Sequence, residues 1–215
     1  MGRILDCSGA KYLARPLDTL LATPSHIAVL RALRDTAAGA TGRAIAREAH
    51  VAPQAALDAL GRLESVGVVR RQAAGAAYLF VLNRRHRLVR DGLLALLDAE
   101  RKFRSALDAT LRKGFHGSVT AAAVFGSVAR GEETASSDLD VCLIVENAAG
   151  RERALARSGE LAAQVAEEFG IRLAPIAYSL KGLVSKHRKG DSLVRNIVSD
   201  GRSFLGPPLA EIVRG

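Results

Sequence analysis

Two short, largely apolar runs in the second half of the chain restrict its fold most. Val119–Phe125 and Val141–Val145 are too short for core helices and have no polar face. Each is therefore expected to be a strand covered on both sides. Between them the chain reads Gly126-Ser127-Val-Ala-Arg130-Gly131, then the polar stretch Glu132–Ser136, then Ser137-Asp138-Leu139-Asp140. The order expected is strand, tight turn, short helix, polar loop, strand.

The residue types at these joints suit phosphate chemistry. Gly126 has no Cβ, so a phosphate can approach the backbone at the mouth of the helix. The first amides of that helix form an anion site, and the Ser127 hydroxyl adds a donor. Arg130, one turn on, is in reach of either a phosphate or a neighbouring acid. Alone, Gly-Ser is an ordinary strand-to-helix turn. Asp138 and Asp140 change that reading, because positions i and i+2 of a strand share a face, roughly 6–7 Å apart. Two such carboxylates repel unless a cation lies between them. Mg²⁺ (or Mn²⁺) takes carboxylate and phosphate oxygens together. Two such ions about 4 Å apart would hold an attacking oxygen and a departing pyrophosphate in line.

The pair Phe-Gly-Ser-Val-Ala-Arg-Gly and Ser-Asp-Leu-Asp resembles the minimal nucleotidyltransferases of the DNA polymerase β superfamily, over roughly residues 117–206. The resemblance implies a nucleoside triphosphate as partner. It also implies Asp138 and Asp140 as catalytic and metal-binding residues, and Gly126, Ser127, Arg130 and Ser137 as nucleotide-binding ones. Active members carry a third acid on the adjacent strand. Here that strand reads Gly170-Ile-Arg-Leu-Ala-Pro-Ile-Ala-Tyr178, with Arg172 or Ala174 at the equivalent position. The nearest acids, Glu167, Glu168 and Asp191, fall in helices or a loop. This departure implies that nucleotide binding survives while transfer is slow or absent.

Around this centre, residues 151–170 are expected to form an amphipathic helix with Leu155, Leu161, Ala162, Val165 and Phe169 inward. Pro175 assigns the strand Ile171–Tyr178 to a sheet edge or a bulge. Residues 181–199 read as one helix, basic on one side through Lys181, Lys186, Arg188, Lys189 and Arg195. That side is either a solvated face or the lining of a cleft.

The first half differs in charge. Residues 1–90 hold 14 Lys and Arg against 6 Asp and Glu, a net +8; residues 91–215 hold 17 against 16, a net +1. The basic excess points to a polyanion. Three helices are expected: one opened by Thr23-Pro24 with Ile27, Leu30 and Leu33 inward; one over about residues 43–49; and one from Pro53 carrying Leu57, Leu60 and Leu63 inward. Val68–Arg71 and Ala77–Leu82 then read as a hairpin around Gln72–Gly75. This order resembles the winged helix–turn–helix of bacterial and archaeal transcription regulators, over roughly residues 17–88. The resemblance implies double-stranded DNA as a partner. It implies Gln54 and Arg62 as base readers and Arg70 and Arg71 as phosphate contacts. Residues 88–113 read as one helix with Leu93, Leu96, Leu97, Phe103, Leu107 and Leu111 on a stripe. That stripe is either packed on its own domains or the seam of a homodimer, interrupted by Glu100.

The expected class is therefore α+β in two domains: a winged helix–turn–helix at 1–87, a connecting helix at 88–116, and a small mixed-sheet nucleotidyltransferase-like domain at 117–215. Other classes fall away. Cys7 and Cys142 have no disulfide-framework spacing, and the five histidines have no metal-ligand spacing. Arg3, Asp6, Lys11, Arg15 and Asp18 interrupt any signal peptide, and no apolar run is long enough to span a membrane. A cytoplasmic protein follows. Two functions fit: a transcription regulator whose second domain binds Mg-NTP, or an active Mg²⁺-dependent nucleotidyltransferase acting on a protein, RNA or small-molecule hydroxyl.

Overall fold

A computed structural model describes residues 12–75, 77–134 and 136–214. The chain divides into two compact units, Met1–Arg101 and Lys102–Gly215. Cys7 lies outside the described residues.

The first unit contains α1 (Pro16–Leu20), α2 (Pro24–Arg34), α3 (Gly42–Glu48), α4 (Pro53–Ser65) and the antiparallel pair β1 (Val69–Ala74) and β2 (Ala77–Leu82). A π-type turn, Val89–Leu93, leads into α5 (Leu94–Phe115), which the unit boundary divides. Local chemistry explains the starts. Thr23 caps α2 by accepting from the His26 amide, and Thr41 caps α3 from Ala44. Pro24 and Pro53 occupy first turns, where no amide partner is lost. Val29, Leu30, Leu33, Ile45, Leu60, Leu63 and Val69 fill the core. Three expectations are corrected here. Leu57 is 46% exposed, lying over Gly42 at the margin of the core rather than within it. Leu96 and Phe103 are likewise exposed, so the stripe on α5 is narrower than its sequence spacing suggests.

The second unit is built on a four-stranded mixed sheet of order β5-β4-β3-β6, comprising β3 (Ala121–Val124), β4 (Leu139–Val145), β5 (Leu173–Ser179) and β6 (Arg202–Leu205). β4 runs parallel to β5 and antiparallel to β3, which also pairs antiparallel with β6. As an inner strand, β4 is covered on both faces, which explains its unbroken apolar run. Each large side chain buried there contributes roughly 1.5–3 kcal/mol. Val141, Leu143 and Val145 face Leu107 and Leu111 of α5, together with Leu161 and Val165 of α7 (Ala148–Phe169). Cys142 and Ile144 face the other way, toward Leu183 of α8 (Leu180–Arg188), Val194 and Ile197 of α9 (Ser192–Asp200) and Leu209 of α10 (Leu209–Arg214). Burial pushes the Cys142 thiol up to about 12, so it is inert at neutral pH.

Pro175 lies on the edge strand β5, as expected. Two further corrections belong to this unit. Leu155 is 37% exposed on α7. The single helix expected over 181–199 is broken by Gly190 in the left-handed region (φ +78°), after which the Asp191 side chain accepts from the Val194 amide and starts α9. Among the described residues, no helix is long and apolar enough to cross a membrane.

Candidate active site

The ends of β3 and β4 meet at one corner of the sheet. Val124 pairs with Val141, and the Phe125 amide donates to the Asp140 carbonyl at 3.0 Å. This register sets Gly126 beside Asp140. Gly126 has φ +72°, and a Cβ built on it would lie 2.3 Å from Asp140 Oδ2. Only glycine supplies both that backbone conformation and that space. Asp140 follows the alternation of Cys142 and Ile144, so it lies on the face of α8, α9 and α10. Burial, and then the charge of Asp138, raise its carboxyl above the ordinary value.

Asp138 is in a different state. It precedes β4, and its carboxylate accepts two bonds from Arg172, Nε to Oδ1 at 2.6 Å and Nη2 to Oδ2 at 2.5 Å. Those bonds hold its carboxyl below the usual range. The Leu139 amide donates to the Arg172 carbonyl at 2.8 Å, which fixes the start of β5 against β4. Further along, Asp140 pairs in register with Ala174.

The other expected residues separate. Gly126 opens α6 (Gly126–Arg130), a helix of only five residues, too short for a large dipole. No side chain caps its first amides. Arg130 pairs with Glu132 at 2.8 Å and Asp200 at 3.5 Å. The Ser137 hydroxyl accepts from the Thr134 amide at 2.9 Å. The pairing of Arg130 with Asp200 was not foreseen, because it depends on β6 closing the sheet next to β3.

Among the described residues, no group of three or more His, Cys, Asp or Glu is placed to hold a metal ion. The donor set fits a hard cation nonetheless. Two neighbouring carboxylates, one with its charged form disfavoured by burial, would be relieved by Mg²⁺ completed with phosphate and water oxygens. A cavity of about 490 Å³ in this unit is lined by apolar side chains such as Phe103, Leu107 and Leu139 together with polar ones, among them Arg104, Thr134 and the expected site residue Ser137.

Residues 104–202 match the family model of the nucleotidyltransferase domain. That span contains the Gly126–Asp140 corner and strands β3, β4 and β5, and ends at Arg202, the first residue of β6. No curated protein matches the chain. Among solved structures, one described as the crystal structure of a toxin-antitoxin with AMP-PNP shares 16% identity, covers 50% of this chain and 81% of its own, and superposes with a TM-score of 0.33.

In the first unit, Gln54 is exposed on α4 and donates to Asp58 at 2.8 Å, while Arg62 is exposed further along the same helix. Arg70 is exposed on β1. Arg71 lies 3.3 Å from Glu64 and 4.8 Å above the Tyr78 ring. A recess of about 310 Å³ is lined by Arg70, Gln72, Arg84 and Arg85 among others, with no acid among its lining residues.

Proposed function

We propose that the nucleotidyltransferase domain binds a metal–nucleoside triphosphate and transfers the nucleoside monophosphate to an acceptor hydroxyl of a protein, RNA or small molecule. The approach of Asp140 to Gly126, within the span that matches the family, is the observation that carries this reading. In it, the acceptor oxygen bonds to the α-phosphorus, the α–β phosphoanhydride breaks and pyrophosphate leaves. Gly126 and Ser127 receive phosphate oxygens on backbone amides and a hydroxyl. Asp140, with Asp138 beside it, would hold Mg²⁺ (or Mn²⁺), which when bound supplies positive charge to the phosphates. Asp140, engaged with the cation, is not a free base for the acceptor proton. Ala174 leaves no separate base beside it. Absence of a dedicated base costs a factor of about 10²–10⁴, so turnover is slow. Transfer from α-labelled nucleoside triphosphates, lost in Asp140→Asn and raised in Ala174→Asp, tests this reading. A protein that binds metal and nucleotide through Asp140 but never releases pyrophosphate would instead be a regulator that senses nucleotide.

A second reading has its own support. The acid-free recess around Arg70, Arg84 and Arg85, together with helices α2–α4 followed by a hairpin, suits a winged helix module on double-stranded DNA. Gln54 and Arg62 would then meet base edges, and Arg70 and Arg71 phosphates. Paired half-sites would call for a homodimer. Gel shifts across a salt series, with sedimentation of the free protein, test both parts.

A further inference from the structure

We propose that Arg172 occupies the charge position of a second cation, so that the carboxylate corner takes one divalent ion, through Asp140, rather than two. The inference rests on the nucleotidyltransferase reading above and deepens it. Two-metal phosphoryl transfer needs carboxylates that bridge ions about 4 Å apart. Here both oxygens of Asp138 already accept from one guanidinium, in the two-bond geometry Arg makes with carboxylates. The Asp140 carboxylate has no hydrogen-bond or ion-pair partner among the described residues. No acid stands beside Asp140 on β5, where its register partner is Ala174. Two carboxylates and one guanidinium leave a net charge of −1 instead of −2, so the corner by itself attracts a second divalent ion less than an unpaired carboxylate pair would.

Competing cations are already committed elsewhere. Arg130, on the neighbouring helix, is held by Glu132 and Asp200. Arg172 is held at its backbone by the Leu139 amide, yet its side chain is 81% exposed. Its head group is therefore held on Asp138 at the corner, while Nη1, used in neither bond, can donate to a phosphate oxygen of an arriving triphosphate. Arginine, always charged and able to donate in pairs, suits that double contact better than lysine does.

The test uses the full chain with Mn²⁺, alone and with inorganic tripolyphosphate. Electron paramagnetic resonance of the wild type should show the hyperfine pattern of an isolated bound ion, without exchange coupling to a second. Arg172→Gln should bind Mn²⁺ alone about tenfold more tightly, because a unit positive charge a few ångströms away is gone. The same variant should bind tripolyphosphate more weakly. Arg172→Lys, which keeps the charge, should stay near the wild type in Mn²⁺ affinity. An exchange-coupled Mn²⁺ pair in the wild type overturns the proposal, as does unchanged Mn²⁺ affinity in Arg172→Gln. Asp140→Asn separates the two levels. Loss of Mn²⁺ there, with Arg172→Gln indifferent, removes only the role of the arginine. Mn²⁺ binding that ignores Asp140→Asn removes the nucleotidyltransferase site itself.

Discussion

The corner Gly126–Asp140 and the hairpin Val69–Leu82 both put charged side chains at the ends of β-strands, on opposite physical terms. At the corner, a carboxylate is partly withdrawn from water, has no hydrogen-bond or ion-pair partner among the described residues, and fills the space a Cβ would need. In the hairpin, the arginines stay in water. Arg71 is paired with Glu64 and stacked on Tyr78, and Arg70 lies exposed at the basic recess. The two turns show the same contrast. Gly75 also has a positive φ, +62°, but a Cβ there would meet nothing within 4 Å. Strain and desolvation concentrated at a few atoms mark a site whose parts fail singly. Dispersed, solvated charge marks a surface whose parts add up.

The largest break in this contrast should come from Asp140→Asn. Transfer of label from an α-labelled triphosphate should fall by a factor of at least about 10², since charge is lost with almost no change of shape. The metal-free protein should become more stable, by about 1–3 °C in Tm at neutral pH, because a partly buried charge is removed. Activity and stability moving in opposite directions is the signature expected of the corner. Next in size is Gly126→Ala. A methyl 2.3 Å from a carboxylate oxygen, in a left-handed backbone, should cost about 2–4 kcal/mol and abolish Mn²⁺ binding. Gly75→Ala should cost only about 1–2 kcal/mol, the backbone part alone. Chemical denaturation of both variants checks the difference. Equal losses would mean that the space at Gly126 is not special.

What the sequence disclosed follows the same division. The corner was legible because its signals are local: an apolar run, Gly-Ser, and carboxylates two residues apart on a buried strand. Pro175 restricted β5 to an edge or a bulge, and the strand order gives the edge. Arg172 was named as a neighbour of the carboxylates, but its grip on Asp138 depends on the parallel register of β4 and β5, which no local pattern encodes. β6 went unseen because Arg202–Leu205 is four residues long and buries only Phe204. Its pairing with β3, interrupted by a register shift between Ala122 and Ala123, is settled by the sheet as a whole. The break at Gly190-Asp191 was readable, since a glycine followed by a capping acid ends one helix and starts another, but the basic periodicity on both sides concealed it. Leu57, Leu96, Phe103 and Leu155 show the limit of helical spacing. It ranks positions on a stripe without saying how wide the covering layer is.

Effects in the first unit should be smaller and should grade with salt. Arg70→Ala is expected to weaken duplex DNA binding several-fold for all sequences and to lower the slope of log affinity against log salt by about one contact. Arg71→Ala should do less, because Glu64 already neutralises part of its charge. Fluorescence anisotropy at several salt concentrations reads both. A loss in Arg70→Ala confined to one sequence and independent of salt would move that residue from phosphate contact to base reading.

The smallest effect is expected where the first unit ties α5 to α2. Arg31 Nε donates to Glu100 Oε2 at 2.7 Å, and a second bond joins Nη2 to Oε1. The pair is about half exposed, with side chains 52% and 46% accessible. Hydrogen bonding to Arg31 holds the Glu100 carboxyl below its ordinary value. A lowered folded-state value means that the folded protein binds this proton less readily than the unfolded chain does. The stabilisation is therefore complete above the ordinary glutamate range, near pH 5 and higher, and fades as the pH falls through the lowered value. Solvent screening keeps it under about 1 kcal/mol. Glu100→Gln should accordingly lower Tm by no more than about 1–3 °C at pH 7. The gap between variant and wild type should narrow toward zero on acidification and shrink with added salt, in contrast to the salt-insensitive loss expected at Gly126. A gap that widened in acid would reverse the sign assigned to Glu100, and one unmoved by salt would place the pair out of contact with water.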